Sequence, residues 1–170
     1  MRTFRSRKPY ILKLLWKSLV QPNIDYCSQL YMPVNGNKLN ELENLQRHFT
    51  SRIPSISSLD YWTRLGILQM SSQQRRLERY RIIYTWKVLE GLVPNCGLEA
   101  ENKTRLGRIC TIPALANTGS SKIGTLRENS FQVHGPKLFN SLPIQVRNIS
   151  KCNVDELKVQ MDKVIEKVPD

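Results

Sequence analysis

Apolar positions recur at helical spacing along most of this chain, and the longest uninterrupted run lies between Ser71 and Gly91. Leu77, Tyr80, Tyr84 and Val88 fall within about 80° of one another on a wheel of ~100° per residue, and Ile82, Ile83, Trp86 and Leu89 take the other side. A helix apolar on two sides must be covered on both. Ser71 and Gln74 have capping-box spacing at its start, Gly91 suits the position just past its end, and Pro94 follows as a stop. Upstream, Pro9–Val20 reads as a helix with Leu12, Leu15, Trp16 and Leu19 on one stripe, widened by Ile11 and Leu14. Pro22 ends or kinks it, and Asn23–Tyr31 continues as a second helical piece. Pro33–Asn37 is a turn by composition. Lys38–Ile53 forms another helix on Leu39, Leu42, Leu45, Phe49 and Ile53. Pro54 breaks it. Ser57 or Ser58 then caps a short helix holding Leu59, Trp62 and Leu65, closed by Gly66.

After Pro94 the periodicity fades. Asn95–Thr125 mixes glycines, serines and scattered charges, with a short strand expected over Ile109–Leu115. A weak helical pattern returns at Phe131, Leu138 and Phe139, with Gly135-Pro136 inside it, and Leu142-Pro143 ends it. The last helix is clean: Asn153 caps, and Val154, Leu157, Met161, Val164, Ile165 and Val168 share a face. The expected fold is therefore mainly α: an irregular multi-helix domain with a long central helix, a loop-rich segment after it and a C-terminal helix. Trp16, Leu19, Phe49, Trp62, Tyr80, Tyr84, Trp86 and Phe139 are the expected large core side chains.

Charge adds a partner to this picture. The chain carries a net +12 over 170 residues, which suits a polyanion, either nucleic acid or an anionic membrane surface. No apolar run approaches the ~20 residues of a membrane span, so no membrane partner is expected. The basic residues gather in two places: Arg2, Arg5, Arg7 and Lys8 near the start, and Arg75, Arg76, Arg79 and Arg81 on the central helix. The second group opposes the helix dipole. It is either a solvated turn whose long stems lie on apolar surface, or a phosphate-binding ridge. RNA or DNA held through phosphates is the expected partner of all eight.

Candidate chemistry is otherwise sparse. MRTFRSRK imitates a transit peptide, but the segment reads as an ordinary basic helix. Cys27, Cys96, Cys110 and Cys152 are far apart, which argues against zinc and against a disulfide framework. Free thiols in a reducing compartment, cytoplasmic or nuclear and not secreted, are expected, and the triplets at Asn102 and Asn148 are then chance glycosylation matches. His48 and His134 read as solvated. There is no phosphate-cradling glycine loop. Asp25, Asp60, Asp155, Asp162 and Asp170 are dispersed, whereas nucleotidyl transfer needs clustered carboxylates for its metal ions. No catalytic residue, metal or cofactor is expected.

Several stretches taken together resemble the reverse transcriptase open reading frame of jockey-like non-LTR retrotransposons, the LINE elements. They are RTF at 2–4, LWKSLV at 15–20, DYCSQLY at 25–31, LQRHFTSRI at 45–53, LDYWTRLGIL at 59–68, RRLERYRIIYTWKVLEGLVPN at 75–95, TLRENSFQVHGPKLFNSLP at 125–143 and VPD at 168–170. They keep the family's order and cover nearly the whole chain. The resemblance is to the region downstream of the palm and thumb. It implies a helical post-thumb-like domain over 1–94, a loop-rich linker over 95–125 and a small C-terminal helical segment over 126–170. The family's aromatic-x-Asp-Asp hairpin has no counterpart here, so the resemblance implies no catalytic residue, although the parent enzyme is an RNA-directed DNA polymerase. Leu77 stands where the family has a basic residue, and Tyr31-Met32-Pro33 where it has a Trp-Ser-Pro-like sequence. The implied role is a non-catalytic fragment that contacts nucleic-acid backbone or supports the missing polymerase core. A domesticated interaction or nucleic-acid-binding module, and a relic copy without a selected role, are the alternatives.

Overall fold

Pro9 opens the first helix, α1 (Pro9–Leu15), where its fixed φ and missing N–H cost nothing. A π-helical turn, Trp16–Val20, follows, and its i→i+5 bond runs from the Gln21 N–H to the Trp16 carbonyl. The computed structural model describes residues 7–31, 36–95, 97–103, 105–113 and 121–165. Within these the chain is mainly helical, as the periodicity indicates. It divides into two compact units, Met1–Leu77 and Glu78–Asp170. The division falls inside a helix, not after Pro94 where the composition changes.

In the first unit the π turn is followed by α2 (Gln21–Asp25), α3 (Ser28–Tyr31), α4 (Gly36–Ser51) and α5 (Tyr61–Leu68). Of the turn expected over 33–37, only 36 and 37 lie in the described residues, and they open α4. Leu12, Ile53, Ile56 and Leu68 form the apolar core, with Leu15, Phe49 and Met70 packed against it. Trp16 is buried, its ring 4.7 Å from that of Phe49. Leu19 and Trp62 do not join them. Both were expected in the core, and both are exposed. For Leu19 the cause is the π turn: it holds one residue more than an α turn, so the buried series runs Leu12, Trp16, Gln21, Ile24 and leaves Leu19 outside. For Trp62 the cause is the cap. Asp60, not a serine, starts α5, accepting from the Thr63 N–H at 3.0 Å and the Thr63 hydroxyl at 2.5 Å. That phase puts Tyr61, Arg64, Leu65 and Leu68 inside, and Gly66 falls within the helix.

A polar seam adjoins this core. Trp16 Nε1 donates to Gln21 Oε1 (2.8 Å), and Gln21 Nε2 donates to Asp25 and to Gln73 Oε1. Gln73 Nε2 in turn donates to Gln46 Oε1, and Gln46 Nε2 to the Ser71 carbonyl. Glu43 accepts from the Tyr61 hydroxyl and from the Gln73 N–H. Gln21, Gln46 and Gln73 are all buried, and each has partners, as buried amides require.

The longest helix, α6 (Gln73–Leu89), carries the unit boundary between Leu77 and Glu78. The Ser72 hydroxyl accepts from the Arg75 N–H, so the cap lies one residue beyond the expected Ser71. At the other end Gly91, at φ +72°, lets the Leu92 N–H reach the Lys87 carbonyl.

In the second unit, Ile82, Ile83, Trp86 and Val88 of α6 enter a core with Leu98, Cys110, Phe139, Leu142, Val146, Leu157 and Met161. Full burial of such side chains contributes about 1.5–3 kcal/mol each. Tyr80 and Tyr84 are half-buried, Tyr84 edge-on to Phe131. The expected linker contains an antiparallel hairpin, β1 (Ala100–Lys103) and β2 (Gly107–Cys110), pairing Ala100 with Cys110 and Lys103 with Gly107. Asn140 fixes it, accepting from the Cys110 N–H and donating to its carbonyl, both at 2.9 Å. Then come α7 (Ser121–Glu128), α8 (Phe131–Ser141), α9 (Ile144–Arg147) and α10 (Val154–Ile165). Gly135-Pro136 does not interrupt α8. Both residues are buried within it, and a Cβ on Gly135 would stand 2.7 Å from Thr85 Oγ1. His134 is accordingly half-buried, not solvated.

Candidate nucleic-acid interface

The central-helix arginines are not a free ridge. Arg76 grips Asp25 with both Nε (2.9 Å) and Nη2 (2.7 Å). Arg79 does the same to Asp162, at 2.6 and 2.8 Å. Arg81 is buried at 1% exposure, and burial lowers its affinity for its proton. Arg75 is half-buried and engaged. A guanidinium whose Nε/Nη2 edge is closed on a carboxylate has much of its charge offset and only its outer Nη edge left for phosphate. The expected ridge over Arg75, Arg76, Arg79 and Arg81 is thus mostly a set of internal contacts.

The N-terminal cations differ. Arg2 and Arg5 lie outside the described residues. Arg7 and Lys8 are exposed at the entry to α1, where Lys8 is the N-cap. Lys17 is exposed, and Lys13 is half-buried. Burial, and then the charge of Lys17, lower the Lys13 ammonium below its ordinary value. None of these four forms an ion pair among the described residues. The first carboxylate in the chain, Asp25, is held by Arg76 and Gln21. Tyr10, Leu14 and Leu19, at 66%, 63% and 59% exposure, stand out beside the cations. Their spacing of four and then five residues follows the π turn, which brings Leu19 toward the Tyr10–Leu14 side. The outward side of this segment is therefore apolar and cationic together. Lys13 and Lys17 did not stand out in the sequence as part of this cationic group because their charges interrupt an apolar run, although the absence of any acid before Asp25 was a readable signal.

Among the described residues no group of His, Cys, Asp or Glu could hold a metal ion, and Cys27, Cys110 and Cys152 are free thiols. No described helix is long and apolar enough to cross a membrane. By fold this is a basic, mainly helical chain, and among the described residues the cations around α1 form no ion pair. No family model, curated protein or solved structure matches it.

Proposed function

We propose that this chain is a non-catalytic helical module derived from the reverse transcriptase reading frame of a non-LTR retrotransposon, and that it contacts nucleic-acid backbone through α1. The ordered sequence resemblance supports the descent. The carrying observation for the contact is the set Arg7, Lys8, Lys13 and Lys17, which has no carboxylate partner among the described residues. Phosphates supply the missing counter-charge, with binding driven by counterion release and indifferent to base sequence. The exposed Tyr10, Leu14 and Leu19 favour a second role for the same segment, as a seat for an apolar partner such as the missing polymerase core.

Salt titrations of single-stranded and duplex RNA and DNA separate these roles. The wild type is compared with a Lys8/Lys13/Lys17→Gln variant and a Leu14/Leu19→Gln variant. Loss of three phosphate contacts lowers the slope of log affinity against log salt by roughly two to three units. The leucine variant leaves the slope in place and loses only capture of a separately supplied polymerase core. Equal slopes for the wild type and the lysine variant would refute the phosphate reading.

A further inference from the structure

A buried guanidinium needs something in place of water, and two arginines of α6 show what this chain uses. Arg76 and Arg79 each turn the Nε/Nη2 edge onto a carboxylate. Arg81 is buried more deeply, yet its Nε and Nη2 have no hydrogen-bond partner among the described residues. Its Nη1 donates to the Asn129 carbonyl at 3.3 Å. An arginine cannot shed its proton inside a protein, so the charge stays and its better edge stays unused.

Among the described residues, no carboxylate pairs with Arg81 as Asp25 and Asp162 pair with Arg76 and Arg79. Asn129 leads into Ser130, the N-cap of the eleven-residue α8. The Ser130 hydroxyl turns back to the Arg127 carbonyl (2.6 Å), and α8 begins without a side-chain cap. One turn in, His134 has a buried Nδ1 that is also without a partner. Burial, then the Arg81 charge and that of Lys137, lower its imidazole below the ordinary value. No carboxylate is among the groups that shift either residue.

We propose that Arg81, His134 and the start of α8 form a binding site for a small free oxyanion of the phosphate class. The Nε/Nη2 fork takes two oxygens, as it does in Arg76 and Arg79. His134, as its Nδ1–H tautomer, and the positive end of α8 address the remaining ones. A tetrahedral anion presents oxygens to donors arriving from several directions, whereas a carboxylate keeps both of its oxygens in one plane with the fork. Arg81, His134 and α8 all belong to the second unit, so the site does not depend on α1 or on its reading as a nucleic-acid contact.

The test uses the whole 170-residue chain. Thermal melts and an NMR titration of the His134 ring are recorded in inorganic phosphate, acetate and chloride at matched ionic strength. The melting midpoint is expected to rise with the logarithm of phosphate concentration, less in acetate, and not in chloride. The His134 midpoint is expected to move upward in phosphate, because a bound anion reverses the influence of Arg81. Arg81→Met removes both responses. Arg81→Lys keeps the charge without the fork and weakens phosphate binding by about tenfold or more. If neither variant folds, the wild-type titrations still decide. Identical melts and identical His134 titrations in phosphate and chloride overturn the site and leave water on the two nitrogens. Equal responses to acetate and phosphate overturn the phosphate class.

Discussion

Trp86 is a large, fully buried side chain in the core of the second unit. It is 1% exposed, and its Nε1–H donates to the Ile149 carbonyl at 2.8 Å. Trp86→Ala is expected to cost ~3–5 kcal/mol from the cavity, with a further ~1–3 if the freed carbonyl stays dry. A loss below about 1 kcal/mol in a denaturant melt would contradict the packing described. Gly135→Ala should destabilise by about 1–3 kcal/mol, because its Cβ would meet Thr85 Oγ1 at 2.7 Å and the Phe131 ring at 3.0 Å. Asp60 supplies a pH test. The Thr63 hydroxyl, and then its backbone N–H, hold the Asp60 carboxyl below the ordinary value. A depressed carboxyl adds stability above its unfolded pKa of about 3.9 and loses it as pH falls through the folded value. Carboxyl NMR shifts followed through acid should give Asp60 a midpoint under that of an unfolded peptide. A midpoint at or above it would mean that the cap does not hold in solution.

The π turn after α1 makes neighbouring residues unequal in a way that separates it from a plain helix. Trp16→Ala should cost ~3–5 kcal/mol, and Leu19→Lys should stay within about 0.5. A Leu19→Lys penalty near that of Trp16→Ala would restore the regular stripe. This is also where sequence reading stops. Periodicity finds a helix over Pro9–Val20 but carries no mark of an i→i+5 bond, so it assigns Leu19 to the wrong side. The C-terminal α10 has no such irregularity, and its buried Leu157 and Met161 were legible from spacing alone. For α5 the spacing pointed to Ser57 or Ser58 as the cap, and only the fold shows that Asp60 takes that place. α8 was obscured by Gly135-Pro136, because the reason for that glycine, close approach to Thr85, lies far away in the chain. The arginine ridge failed for a similar reason. The carboxylates that close Arg76 and Arg79 stand 51 and 83 residues away.

For the molecule as a whole, the absence of a metal-holding group among the described residues sets one expectation. Purified chain should not extend a primer with magnesium present, since the described residues hold no carboxylate cluster for the ions. Extension that disappears when an aspartate of this chain is replaced would sink that expectation. The ion pairs at Arg76, Arg79 and Arg108 tie cations to carboxylates within each unit, so the charge that remains for partners is unevenly spread. The basic character was legible from composition. Its distribution was not, because pairing is a property of the fold.

The glutamine seam of the first unit has a consequence for how such a chain can change over generations. Gln21, Gln46 and Gln73 lie far apart in sequence, yet each amide completes another's hydrogen bonding. Replacing one strands its partner in the interior, whereas replacing all three by apolar residues of similar volume leaves no amide stranded, only the Trp16 Nε1–H and the Ser71 carbonyl in need of new partners. A single step is therefore expected to cost more stability for each residue changed than the combined step. The three positions are expected to change together, and a copy released from selection should lose this seam before it loses the aliphatic core beside it.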